Sequence, residues 1–109
     1  MLVTQDGAYA VISDPPRDMI HIVDLARWKE TGTILLDEGA LPFRGVEGAD
    51  GQVHITLRGP GSVATVDPST ATLTSTTSVC PNPRGIAFDT DTGERHVASE
   101  SPRGRLTAR

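Results

Sequence analysis

Short runs in which apolar and polar residues alternate, cut at intervals by Gly, Pro and Asp, dominate this chain from end to end. A period of two sends successive side chains to opposite faces of a strand. Leu2 and Val3 open a strand, Asp6-Gly7 turns it, and Ala8 to Ile12 returns as a second. Asp-Gly between β-prone runs is a strong hairpin signal, because Gly reaches positive φ without a steric penalty. Ser13 to Asp18, with Pro15 and Pro16 inside it, is expected to break the pairing, since proline cannot donate to a ladder. Met19 to Asp24 is the third strand, with Ile20 and Ile22 on one face and His21 and Val23 on the other. Helix propensity beginning at Leu25 is cut short by Thr31-Gly32-Thr33. Ala26 to Lys29 therefore reads as a turn and Gly32 to Leu36 as a fourth strand.

After a connecting loop from Asp37 to Pro42 the pattern starts again. Phe43 to Ala49 is a strand, Asp50-Gly51 a hairpin turn, and Gln52 to Leu57 the next strand. Arg58 to Gly61 turns the chain, Ser62 to Asp67 follows, Pro68-Ser69-Thr70 turns it again, and Thr72 to Val79 closes the unit. A third unit opens at Pro83, runs from Arg84 to Asp89, turns at Asp91-Thr92-Gly93, returns from Glu94 to Ser99, and turns at Pro102-Arg103-Gly104 before a last strand. Asp6-Gly7 matches Asp50-Gly51 and Val23-Asp24 matches Val66-Asp67 about 43 to 44 residues on, while Arg44-Gly45 matches Arg84-Gly85 and His54 matches His96 about 40 to 42 residues on. That period suits a four-stranded propeller blade, with the drift falling in turns. The expected fold is all-β: a partial β-propeller of four-stranded antiparallel blades, incomplete at both ends. Its units are residues 1–39, 40–80 and a partial third over 81–109. Both termini read as falling within a unit, so the chain is expected to be either part of a longer propeller or a partial ring completed by other copies.

The stretches Pro83-Arg84-Gly85-Ile86-Ala87-Phe88-Asp89 and Val63-Ala64-Thr65-Val66-Asp67 also carry a resemblance. They resemble the repeats of the YVTN family of β-propellers, akin to NHL and surface-layer repeats, over essentially the whole chain. The strand that names that family is degenerate here, as Tyr9-Ala10-Val11-Ile12, His54-Ile55-Thr56-Leu57 and His96-Val97-Ala98-Ser99. The resemblance implies a propeller scaffold, an extracytoplasmic setting, and in some relatives company with haem or quinone oxidoreductases. It maps no catalytic residue onto this chain.

Composition narrows the picture. Aromatics are few, Trp28, Tyr9, Phe43 and Phe88, so a core must come from Val, Ile, Leu and Ala, which remove less surface from water per side chain. A formal net charge of -4 argues against nucleic acid, whose binding rests on basic patches. Cys80 is the only cysteine, so no internal disulfide is expected, and it reads as a small half-buried hydrophobe. No signal peptide is recognised at the start, and no apolar run is long enough to cross a bilayer. A closed ring takes at least four blades. A chain of 109 residues with this period falls short of one, and its uncovered blade faces are expected to meet a protein partner or another copy.

Candidate chemistry is sparse. His54 and His96 recur at one repeat position and His21 sits in a third strand, but a metal site needs several such groups converging with supporting partners. The run Asp89-Thr90-Asp91-Thr92-Gly93-Glu94 has acids at alternate positions yet lacks the calcium-loop spacing and reads as a hairpin turn. Arg44 and Arg84 suggest either a charged channel mouth or, the preferred reading, bonds to carbonyls or a carboxylate of a neighbouring blade. Asp24 and Asp67 read as turn formers. Ser13 and Ser62 lack a nucleophile elbow, and no haem-attachment motif occurs. No catalytic, cofactor-binding or metal residue and no cofactor is assigned. The function expected is a non-catalytic repeat scaffold for protein interaction; the alternative is an arc of a propeller enzyme, a lactonase-like hydrolase or a quinone- or haem-associated dehydrogenase, whose active residues lie outside this chain.

Overall fold

The computed structural model describes residues 1–48, 50–79, 83–88, 95–100 and 106–108. Three antiparallel sheets follow one another along the chain, each a meander in sequence order. The first contains β1 (Leu2–Val3), β2 (Tyr9–Asp14), β3 (Met19–Asp24) and β4 (Lys29–Leu35). The second contains β5 (Pro42–Glu47), β6 (Val53–Leu57), β7 (Ser62–Asp67) and β8 (Thr72–Ser78), and the third β9 (Pro83–Phe88), β10 (Arg95–Glu100) and β11 (Leu106–Ala108). Contacts of β2 with β5, and of β5 and β6 with β9, bring the inner parts of successive sheets together. The sheets therefore lie side by side as blades.

The core sits between them. Val11, Ile20, Ile22 and Ile34 of the first sheet meet Val53, Ile55 and Val66 of the second. Val63 of the second meets Val97 of the third, with Val79 and Ile86 alongside. A sheet covered on both faces has no polar side, and β7 is buried at every position from Ser62 to Val66. The first sheet has one covered face, so β3 alternates, with Ile20 and Ile22 buried and His21 and Val23 half-buried. The outermost strand β8, a run of Thr and Ser around Leu73, is exposed throughout. The core is aliphatic, as the composition implies, while Trp28 is 83% exposed.

Several boundaries differ from the sequence reading, each for a local reason. The fourth strand begins at Lys29 rather than Gly32, and the preceding turn occupies Leu25 to Trp28. Trp28 adopts φ 52, which reverses the chain early enough for Lys29 to pair with Asp24. A bulge opposite Ile22 and Val23 then absorbs Thr31. β2 runs on through Ser13 and Asp14, which pair with Ile20 and Met19, because the prolines that break the ladder start only at Pro15. Pro15–Arg17 forms a single 3-10 turn that ends on Asp18 at φ 51. β5 starts at Pro42, where a missing N–H is tolerated, and ends at Glu47 rather than Ala49; Ala49 itself lies outside the described residues. Gln52 belongs to the turn, its N–H bound by Asp50 Oδ1 at 3.0 Å. Cys80, the turns at Asp91–Gly93 and Pro102–Gly104, and the acidic run from Asp89 to Glu94 also lie outside the described residues.

The repeat is visible in backbone detail. Trp28 and Ala71 share positive φ in equivalent turns, and equivalent bulges fall at Ile22/Val23 and Thr65/Val66. The sheets approach closely where Gly32 of β4 faces Ala71: a Cβ at Gly32 would stand 2.7 Å from the Ala71 Cβ. Overpacking of this kind costs about 1–3 kcal/mol. Gly32→Ala is therefore expected to lower the melting temperature, and Ala71→Gly, at a position whose φ of 54 suits glycine, to restore most of the loss in the double variant. Independent, additive effects in thermal denaturation would contradict the contact.

Candidate functional site

The face of the first sheet turned away from the core is built from Val3, Ala10, Ile12, Asp14, Met19, His21 and Val23. Register decides this membership: Val3 is opposite Ala10, Ala10 opposite Val23, Ile12 opposite His21, and Asp14 opposite Met19. The positions about 43 residues further on are Val53, Ile55, Leu57, Ser62, Ala64 and Val66, all buried, with Val53, Ile55 and Val66 in one cluster with the first sheet. On this face of the first sheet only Ala10 is buried; Ile12, Asp14, Met19, His21 and Val23 are half-buried, and Val3 is 47% exposed.

His21 lies within this face between two carboxylates from neighbouring strands. Its Nδ1 is 2.8 Å from Glu30 Oε1 on β4, and its Nε2 is 2.9 Å from Asp14 Oδ2 on β2. Arg17 Nη1 approaches the same Asp14 oxygen at 3.8 Å. With an acceptor at each nitrogen the imidazolium form is favoured, so the His21 pKa is raised from its usual 6.5, first by Glu30 and then by Asp14, against an opposing effect of burial. Both ring nitrogens donate in that form, and none is left to bind a cation. The second sheet has Leu57 and Ala64 at the positions of Asp14 and His21.

His54, by contrast, faces the third sheet's side and places Nδ1 3.0 Å from Thr65 Oγ1. It pairs with Val46, one residue after Gly45, and His96 with Ala87, two residues after Gly85; the His96 side chain lies outside the described residues. His21 and His54 are on different sheets and opposite faces. Among the described residues no group of three or more His, Cys, Asp or Glu side chains is placed to hold a metal ion.

Arg44 meets an aromatic ring where a neighbouring carbonyl or carboxylate was expected. Its guanidinium carbon is 5.2 Å from the centre of the Phe43 ring, and that of Arg58 is 5.1 Å from the same centre. The side chain of Arg84 lies outside the described residues. Asp24 and Asp67 do form turns: Asp24 Oδ1 accepts from the Ala26 and Arg27 N–H groups, and Asp67 Oδ1 from the N–H and hydroxyl of Ser69. The Asp67 carboxyl is held below its usual pKa chiefly by that hydroxyl.

Two acids that organise the chain carry no recognisable sequence signal. Asp18 accepts from Leu41 N–H through Oδ1 and Gly39 N–H through Oδ2, both at 2.9 Å, tying down the connection into the second sheet. These two amides, Leu41 first, hold its carboxyl below the usual pKa. Glu47 Oε1 accepts from Gln5 N–H at 2.6 Å, joining the first turn of one sheet to the inner strand of the next. A cleft of about 250 Å³ on this rim gathers Asp6, Glu47, Asp50 and Asp67, each already engaged by a turn or inter-sheet amide.

A larger cleft, about 330 Å³, opens between the inner strands of the first and second sheets. Leu2, Val11 and Ser13 line one side and Phe43, Arg44 and Gly45 the other.

No protein-family model and no curated protein sequence matches the chain. Solved structures do. Over 92% of its length the chain is similar to hydrazine synthase from Kuenenia stuttgartiensis, with a TM-score of 0.78 and 19% identity. Over 98% it is similar to virginiamycin B lyase from Staphylococcus aureus, at 0.73 and 16%, and to dihydro-heme d1 dehydrogenase NirN, at 0.75 and 17%. These neighbours are β-propeller proteins. The fold is a β-propeller fold. The chain spans 29%, 39% and 23% of the three neighbours respectively, so it corresponds to a minor arc of each.

The His21 arrangement has a definite pH signature. A group whose folded pKa is raised adds stability that is fully present below its unfolded value, here 6.5, and is lost as the pH rises through the higher folded value. In denaturant titrations the wild-type chain is expected to exceed His21→Gln in stability at acid pH, with the gap closing on the alkaline side. A gap that stays constant across that range would rule out the ionic bridge.

Proposed function

We propose that this chain is a non-catalytic segment of a β-propeller that works as a protein-interaction scaffold, meeting a protein partner or another copy through the uncovered face of its first sheet. The observation that carries this reading is the contrast between equivalent faces. Val53, Ile55 and Val66 are out of water against a neighbouring sheet, while Ile12 and Val23 keep partial exposure. Apolar side chains held on a flat sheet gain about 25 cal/mol for each Å² removed from water when a second surface covers them. The Asp14–His21–Glu30 bridge beside them makes the face mixed rather than purely apolar, the character of surfaces that also tolerate water.

Within the propeller class we assign the repeats to the YVTN type, with units over 1–39, 40–80 and 81–109. The assignment is supported by the Arg-Gly openings of β5 and β9 and by the shared Asp turns. A second reading, an arc of a propeller enzyme whose reacting groups lie on other blades, draws support from neighbours that are named as a lyase and a dehydrogenase. It assigns no role to any residue of this chain.

Sedimentation velocity over a concentration series tests the scaffold reading. The chain is expected to self-associate, and the paired substitutions Ile12→Lys and Val23→Lys to suppress association while leaving the circular dichroism spectrum unchanged. A monodisperse monomer at every concentration, with the wild-type face intact, would remove the self-association arm; association unaffected by the two lysines would place the contact elsewhere.

A further inference from the structure

We propose that the groove between the outer parts of the first and second sheets, together with the edge of β8 beside it, receives one extended segment of a partner protein that carries an arginine or lysine two residues before a large aliphatic side chain. This surface is separate from the uncovered face of the first sheet, and both of its walls are in place among the described residues.

The groove has a volume of about 210 Å³. Leu36 and Ala40 line one wall, and Leu57, Pro60 and Leu73 the other. Leu36 packs against the core and Ala40 and Leu57 are buried, while Leu73 stays 42% exposed, so the floor is dry and the outer lip is wet. A space below roughly 300 Å³ is too small to enclose a whole drug-sized molecule and suits side chains delivered by a larger partner. The mouth is acidic. Asp37 and Glu38 line it, both exposed, and among the described residues neither carboxylate meets a cation. Arg58, in the nearby turn between β6 and β7, lies against the ring of Phe43. An apolar groove with two uncompensated negative charges at its mouth repels acidic sequences and favours an aliphatic side chain accompanied by a cation.

The edge of β8 offers backbone to the same segment. β8 has β7 on one side and, among the described residues, no ladder partner on the other. Edge strands are commonly guarded by charged residues, proline or bulges. β4, the equivalent strand of the first sheet, carries Lys29 and Glu30, whereas the seven residues of β8 are all exposed and include no charge and no proline. The bulge in β8 lies toward one end, where Thr74 Oγ1 donates to Thr65 O at 3.0 Å, and the ladder is regular from Ser75 to Ser78. Thr76, opposite Ala64, lines the groove. The acidic connection lies toward the Ser78 end of the strand. Its Ala40 O accepts from Gly59 N–H at 3.1 Å, and Gly61 O in the same turn accepts from Val79 N–H at 2.9 Å. An antiparallel segment with its aliphatic residue opposite Thr76 therefore places the residue two before it opposite Ser78, on the same face and beside the acids. Main-chain bonds supply affinity in strand addition and the side-chain pockets supply selectivity.

The test uses the whole chain and the synthetic peptide acetyl-Thr-Arg-Thr-Leu-Thr-Val-Thr-amide. Titration calorimetry is expected to show saturable binding that weakens as salt is added, and hydrogen exchange to show slowed amides between Ser75 and Ser78. Asp37→Asn combined with Glu38→Gln is expected to weaken binding about 5-fold, the effect of one exposed ion pair. A peptide with glutamate in place of arginine is expected not to bind. Leu73→Lys, at a partly exposed position, is expected to abolish binding with the circular dichroism spectrum unchanged. Two further peptides are methylated on a main-chain nitrogen, one at leucine and one at the threonine after it. Only one of them is expected to bind, because successive amides point to opposite edges of a strand. Absence of saturable binding, equal binding by the glutamate peptide, or equal binding by both methylated peptides overturns the proposal. So does a dimer that the peptide dissociates, which would assign the edge to a second copy. The variant with Ile12→Lys and Val23→Lys is expected to bind the peptide as the wild type does, so peptide binding and self-association fail or succeed separately.

Discussion

Everything in this structure depends on a sheet that cannot keep both of its apolar faces dry without neighbours. Ile20 and Ile22 are out of water only because Val53, Ile55 and Val66 lie across from them, and Val63 only because Val97 does. Each blade is thus a packing partner before it is anything else. The gradient from the wholly buried β7, through the alternating β3, to the wholly exposed β8 records how many sides of each strand are covered.

The same constraint explains where the charge goes. The chain carries 14 Asp and Glu against 10 Lys and Arg, and a good part of the acidic excess serves the connections between strands and sheets. Asp6, Asp24, Asp50 and Asp67 each accept backbone amides two residues on, which closes a turn with φ values that β-branched residues avoid. Asp18 and Glu47 do the corresponding work over longer range and hold one sheet against the next. The acidic rim is therefore a consequence of turn chemistry. The bridge at His21 is different in kind, since it occupies positions that are apolar in the following repeat.

How much of this was legible in the residues alone varies with the range of the interaction. The hairpins at Asp6-Gly7 and Asp50-Gly51, the alternation of Ile20 and Ile22 against His21 and Val23, and the recurring unit were all readable, because turn geometry and the two-residue period are local properties of the chain. The end of β2 and the start of β4 were misplaced by a few residues because cross-strand pairing, rather than propensity, set them. Nothing in the sequence put Asp18 beside Leu41, Arg44 and Arg58 on the ring of Phe43, or Asp14 and Glu30 on either side of His21. Those meetings depend on bulges, on loop closure and on how one sheet is seated upon another. What the order of amino acids determined by itself was the strands, their turns and their period; which faces went dry and which acid met which distant amide were decided only when the sheets packed, since each requires atoms far apart along the chain to share one place.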